Sequence, residues 1–176
     1  MDERSQSPLR NMRLLLLDVD GVLTDGTLIY TGEDKESKLF HVKDGLGIKM
    51  LRDCGIQVGI VTGRASAALL RRCRELGIDL VFDGISDKGA VLEHILEKSG
   101  CTAEETGFMG DDLPDLPLFA KVGIAVAVAD ACEPLKQKAD IVTAHAGGRG
   151  AVRELCEMII RSKGLWQDQL RRWENP

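Results

Sequence analysis

The chain has 176 residues, 44% of them hydrophobic and 29% charged, with a formal net charge of −5. That size holds one domain with a buried core and leaves no room for a second. The acidic balance argues against nucleic acid as a partner, no apolar run approaches a membrane span, and the first dozen residues lack the apolar block of a signal peptide, so the expected address is the cytoplasm.

In chain order, residues 1–12 read as a disordered leader and Arg13 to Leu17 as a strand that ends abruptly in Asp18 and Asp20. Thr27 to Tyr30 and Ser37 to Val42 flank Thr31-Gly32-Glu33-Asp34-Lys35 and read as a β-hairpin inserted at about residues 25–43. Gly45 to Cys54 carries Leu46, Met50, Leu51 and Cys54 at helical spacing, and Gly55 stops it. A strand at Gln57 to Val61 leads into a helix at Ala65 to Leu76, apolar on one face and arginine-rich on the other, with Gly77 as its stop.

After a strand at Leu80 to Phe82, Ser86-Asp87 begins a helix with Val91, Leu92, Ile95 and Leu96 inward and Gly100 beyond its end. Strands follow at Thr106 to Met109, Gly123 to Val126 and Ile141 to Val142, and the domain closes with a helix from Gly150 to Ser162. Residues 165–176 form a tail in which Trp166, Leu170 and Trp173 share one helical face, suited to docking on a partner subunit or on its own domain. Alternating β and α segments of this kind predict an α/β fold, a doubly wound Rossmann-like parallel sheet with helices on both faces, the hairpin inserted and no cap domain.

In such a sheet, ligands gather outside the carboxyl ends of the strands. The first strand ends in Asp18 and Asp20, the second in Thr62-Gly63-Arg64, and the fourth in Gly110-Asp111-Asp112-Leu113-Pro114-Asp115, so three polar clusters converge on one crevice. The five cysteines form no CxxC pair and the three histidines are scattered, which leaves a carboxylate cluster suited to a hard cation, Mg²⁺ before zinc. A carboxylate beside such an ion can attack phosphorus, and a second carboxyl two residues on can protonate the leaving oxygen and then activate water. Lys88, Thr62 and backbone N–H groups are the sources of positive charge for the phosphoryl oxygens.

Each feature also has a plainer reading. Asp-x-Asp-Gly after a strand is often a solvated turn, Thr62 can cap a helix, and Lys88 is an ordinary helix-start lysine. Asp111 and Asp112 suit a helix N-terminus without any metal; Asp111 is the expected ligand, with Asp112 and Asp115 behind it. Arg64, Arg71, Arg72 and Arg74 form a basic face that can be merely solvated, and Gly147-Gly148-Arg149-Gly150 is either a flexible helix start or an approach for an anion. Asp25 has no role beyond a turn.

Taken in order, Asp18-Val19-Asp20-Gly21, Val61-Thr62-Gly63-Arg64, Lys88 and Gly110-Asp111-Asp112 with Asp115 resemble the four motifs of the haloacid dehalogenase-like superfamily. The resemblance implies Asp18 as nucleophile, Asp20 as acid/base, Thr62 and Lys88 as phosphate holders, and Asp18, Asp111 and the main-chain carbonyl of Asp20 as Mg²⁺ ligands. The stretches DVDGVLTDG, HVKDGLGIK, GDDLPDLP and AGGRGAVRELCE are similar to the capless branch that contains 3-deoxy-D-manno-octulosonate 8-phosphate phosphatase. That likeness implies a homotetramer acting on a phosphorylated sugar acid, with Asp20, His41, Val42, Lys43, Asp44, Gly45, Lys49, Arg64, Arg72 and Lys88 around the substrate. Lys43 stands where the branch frequently has arginine, which leaves the sugar acid open. The rival readings are a phosphatase for a sialic-acid-type 9-phosphate and a non-catalytic tetramerisation module.

Overall fold

The computed structural model describes residues 9–32 and 35–174. Six strands form one parallel sheet in the order β5-β4-β1-β6-β7-β8: Leu14–Leu17 (β1), Gln57–Val61 (β4), Leu80–Phe82 (β5), Thr106–Gly110 (β6), Ile124–Ala127 (β7) and Ile141–Val142 (β8). β1 lies between β4 and β6, with Leu16 opposite Gly59 on one side and Phe108 on the other. All four leucines of β1 are fully buried, as a strand covered on both faces requires. The chain runs outward from β1 in both directions, so the crevice between its neighbours opens at the carboxyl end of β1.

Helices Val42–Asp53, Ala67–Leu76, Leu92–Ser99 and Ala151–Ser162 surround the sheet. Val42–Asp53 packs on Ala151–Ser162 closely enough that a Cβ on Gly47 would lie 3.1 Å from the Arg153 backbone. Phe108 of β6 meets Phe119 edge to face, with ring centroids 5.7 Å apart. Gly77 and Gly100 each adopt left-handed backbone, φ 69° and 66°, and end their helices where the sequence places a stop.

β2 (Ile29–Gly32) and β3 (Lys35–Ser37) form a separate antiparallel pair, the inserted hairpin. Among the described residues no helix is long and apolar enough to cross a membrane.

The structure departs from the sequence reading at several boundaries, beginning with the hairpin, whose first strand runs Ile29–Gly32 rather than Thr27 to Tyr30. The hairpin's second strand stops at Ser37 rather than Val42; His41 is an extended N-cap residue, and Val42 starts the next helix three residues before Gly45. Buried Asp44, in that helix's first turn, accepts a 2.8 Å hydrogen bond from Arg153 N–H, a tertiary anchor that the expected strand from Ser37 to Val42 did not include. The helix expected from Ser86 becomes regular only at Leu92, because the Asp87 carboxylate caps the N–H groups of Gly89 and Ala90 and holds residues 88–91 in turns.

The leader expected to be disordered through residue 12 is ordered from Leu9, since Leu9 and Met12 are buried in the core and Lys163 holds the Arg10 carbonyl at 2.7 Å. Residues 1–8 of that leader lie outside the described residues, as do tail residues 175–176. The rest of the tail forms a helix, Trp166–Glu174. Trp166 packs against the core with Arg161 3.9 Å over its ring, while Trp173 stays exposed.

Candidate active site

Asp18 follows β1 directly, and its N–H donates to the Met109 carbonyl at 3.0 Å, which carries the pairing with β6 one residue past the strand. Its buried carboxylate meets that of buried Asp115 and that of half-buried Asp111: one oxygen from each lies within 4.8 Å of the others. Lys88 reaches in from the turn after β5, itself buried, with its ammonium 3.0 Å from Asp18 Oδ1 and 2.6 Å from Asp115 Oδ1. Gly21 (φ 85°) lets the chain turn beneath Asp111; a Cβ there would lie 2.0 Å from Asp111 Oδ2.

Three carboxylates and one ammonium leave an excess of buried negative charge. Burial pushes Asp18 up to about 6, opposed by Lys88 and reinforced by Asp115, while burial and the neighbouring Asp18 and Asp115 push Asp111 up to about 8. The Lys88 pKa is raised as well: burial works against its charge, but Asp18 and Asp115 hold it above the ordinary lysine value, so it stays an ammonium. Asp18 Oδ1 is buried without a hydrogen-bond partner, since Lys88 approaches it off the line of a hydrogen bond.

These residues fit a hard divalent cation: the donors are all carboxylate oxygens, the charge is uncompensated, and one buried acceptor is unsatisfied. Asp115 is the carboxylate of the three that already has partners for both oxygens. Its Oδ1 is held by Lys88 and its Oδ2 accepts from the N–H groups of Asp111 (2.8 Å) and Asp112 (3.4 Å), so both oxygens already have work. Asp112 is the N-cap of the Leu113–Asp115 turn and accepts from Leu113 N–H at 2.8 Å.

Thr62 directly follows β4 and is buried in the lining of the same cleft, its Oγ1 accepting from Arg64 N–H at 3.4 Å. Asp18, Thr62, Lys88 and Asp111, with Asp20 and Arg64 at the rim, line one cleft of about 300 Å³. The other expected sugar contacts lie elsewhere on this chain. His41 and Lys43 face a separate groove of about 690 Å³ beside Arg149 and Arg153. Asp44 is committed to Arg153 N–H, Val42 and Lys49 are exposed, and Gly45 lies under the guanidinium of Arg72, which stacks on Phe40 at 5.9 Å.

Residues 78–155 match the family of haloacid dehalogenase-like hydrolases. The 3-deoxy-D-manno-octulosonate 8-phosphate phosphatase of Haemophilus influenzae is 46% identical over 159 residues, 90% of this chain and 88% of that protein. Its counterpart from Escherichia coli K12 is 48% identical over 155 residues, 88% of this chain and 82% of that protein. This chain belongs to the haloacid dehalogenase-like hydrolases. Among solved structures, that of the Moraxella catarrhalis 3-deoxy-D-manno-octulosonate 8-phosphate phosphatase, in complex with magnesium, phosphate and a KDO molecule, superposes with a TM-score of 0.95. It is 36% identical and covers 98% of this chain and 99% of its own.

Three features of this haloacid dehalogenase-like hydrolase go beyond what the sequence reading assigned. Lys38, from the end of the hairpin, is an ion-pair partner of Asp20 and lies 2.8 Å from Glu36, and only 2% of its side chain is exposed. Glu36 also binds Arg64 at 2.6 Å, so hairpin and rim share one ionic cluster. The only signal in the sequence is an acidic–basic alternation, Glu36 and Lys38, which does not reveal burial. Asp25 also gains a place, accepting from Thr27 N–H at 3.1 Å and pairing with Arg149 at 3.0 Å. Gly147 and Gly148 serve close backbone packing: a Cβ on Gly147 would lie 1.6 Å from the Gly21 carbonyl oxygen, and Gly148 N–H donates to the Val22 carbonyl at 2.8 Å.

Proposed function

We propose that this chain is a Mg²⁺-dependent phosphatase that hydrolyses 3-deoxy-D-manno-octulosonate 8-phosphate to the free sugar acid and phosphate. The observation that carries the reading is the pairing of Asp18, Asp111 and Lys88 in one cleft, in a chain that matches phosphatases of that name over nearly their whole length. Asp18, Asp111 and the Asp20 carbonyl would hold Mg²⁺, which when bound neutralises the carboxylates and the phosphoryl oxygens.

Asp18 attacks phosphorus as the sugar oxygen leaves, and that oxygen takes its proton from Asp20. The phosphoryl group is then held on the Asp18 carboxyl as an acyl phosphate, a mixed anhydride. Asp20 takes a proton from water as the water attacks that phosphorus, which frees phosphate and restores Asp18. Lys88 and Thr62 bind the phosphoryl oxygens, and Asp112 and Asp115 fix the loop that carries Asp111. A pure scaffold would have no use for a buried Lys88 amid three carboxylates, an arrangement that costs stability without a ligand.

His41 to Gly45, Lys49 and Arg72 stand outside the cleft of their own chain. In our reading they serve the sugar acid across a subunit boundary, in a homotetramer whose exposed hairpin residues Leu28 and Tyr30 associate. The nucleophile assignment is tested with Asp18→Asn. That variant is expected to bind Mg²⁺ and phosphate by calorimetry and to release no phosphate from the sugar-acid ester; ordinary turnover would overturn it.

A further inference from the structure

Asp20 has two carboxylate oxygens in different surroundings. Oδ1 is held by the ammonium of Lys38, while Oδ2 is buried with no hydrogen-bond partner, the nearest cation being Arg64 Nε at 3.6 Å. Lys38 is itself fixed from the far side by Glu36, and Glu36 is fixed by Arg64. A long, flexible side chain loses rotamer freedom when buried, so a lysine side chain 2% exposed and held between Glu36 and the cleft-lining Asp20 is an ordered support of the site rather than a solvated surface group.

We propose that Lys38 is a positioning residue for the acid/base step: by clamping Asp20 Oδ1 it turns Oδ2 towards the reacting centre as the oxygen that gives and takes the proton. The inference rests on Asp20 being the acid/base of the proposed reaction. In the first step the proton on Oδ2 passes to the departing sugar oxygen as its bond to phosphorus breaks. In the second, Oδ2 accepts a proton from the attacking water. Lys38 keeps its own protons throughout and touches neither substrate nor phosphorus. The hairpin thereby contributes to chemistry as well as to shape, since the clamp comes from residues 36 and 38 and the acid from residue 20.

A positioning role has a signature that a structural role lacks, because protonation matters only for a poor leaving group. Lys38→Met, Lys38→Arg and Glu36→Gln are compared with the parent enzyme under saturating Mg²⁺, on the sugar-acid 8-phosphate and on p-nitrophenyl phosphate, whose nitrophenolate departs unprotonated. For Lys38→Met we expect kcat on the sugar ester to fall about 10²-fold, the cost of a misplaced proton donor, with KM changed little. On the aryl ester, stopped flow should show a burst of one nitrophenolate per site, because phosphorylation proceeds while water activation is slowed. Lys38→Arg should recover part of the loss and Glu36→Gln should show a smaller loss with the same pattern.

Equal rates for Lys38→Met and the parent on both esters would overturn the inference. So would equal losses on the two esters without a burst, which mark general damage to the site. If Lys38→Met does not fold, Glu36→Gln decides by the same criteria. Should the parent not accept the sugar ester at all, the substrate reading fails, and burst or no burst on the aryl ester still decides for or against Lys38.

Discussion

At the scale of single residues, the site is organised around one buried cation. Lys88 touches Asp18 and Asp115, and Asp115 in turn holds the N–H groups that shape the Asp111 loop. Removing the cation leaves buried carboxylates uncompensated, which costs about 3 kcal/mol or more. Lys88→Met is therefore predicted to lower the melting temperature on the order of 10 °C without Mg²⁺, and to cut kcat by about 10²-fold or more through loss of charge on the transferring group. Calorimetry and a phosphate-release assay check both halves; a variant with the parent's melting temperature would contradict the electrostatic account. Lys88 carries no mark in the sequence beyond its place between motifs, whereas Asp18 and Asp20 announce themselves by ending a leucine run. Lys38 gives no sign, because its partner Asp20 lies 18 residues away and burial of a lysine is a tertiary property.

At the scale of elements, the loop after β8 is tied to helix Ala151–Ser162 by Glu154. Its carboxylate accepts from Ala144 and His145 N–H groups at 3.0 Å and meets His145 Nδ1 at 2.8 Å. Burial works to raise the pKa of this carboxyl, but these contacts outweigh it and hold the group below the ordinary glutamate value of 4.5. A depressed carboxylate contributes stability above its unfolded pKa and loses it as pH falls through the folded one. Glu154→Gln is thus predicted to cost about 1 kcal/mol near neutral pH, with the gap closing below pH 4.5 in urea titrations; a gap that widens in acid would contradict the assignment.

Apolar runs made the sheet legible, because a central parallel strand must be apolar on both faces. Boundaries set by tertiary partners were not: Asp44 draws Val42 and Lys43 into a helix through Arg153, and Leu9 and Met12 enter the core from a segment whose neighbours are charged.

For the whole molecule, the cleft as one chain builds it is strong in phosphate and metal chemistry and poor in groups for a sugar acid. Arg64 is the only expected sugar-contacting arginine in it, and Glu36 already engages that side chain. The chemistry was readable because its motifs sit at strand ends that topology must bring together. Specificity was not, since His41, Lys43 and Arg72, the expected sugar contacts, lie outside the cleft of this chain. Assembly as a homotetramer predicts, by light scattering, four times the 19.2 kDa of one chain. It also predicts that mixing Arg72→Ala with inactive Asp18→Asn subunits restores phosphate release, since each mixed pair contains one intact cleft served by an intact Arg72; a monomer, or mixtures no better than their parts, would contradict it.

The central claim is that this cleft hydrolyses a phosphorylated eight-carbon sugar acid. The most direct measurement is kcat/KM for Mg²⁺-dependent phosphate release from 3-deoxy-D-manno-octulosonate 8-phosphate, a nine-carbon sialic-acid-type 9-phosphate and neutral hexose phosphates. The account predicts the highest value for the eight-carbon acid and no release when chelator removes Mg²⁺. A preference for neutral hexose phosphates, or turnover undiminished by chelator, would contradict it.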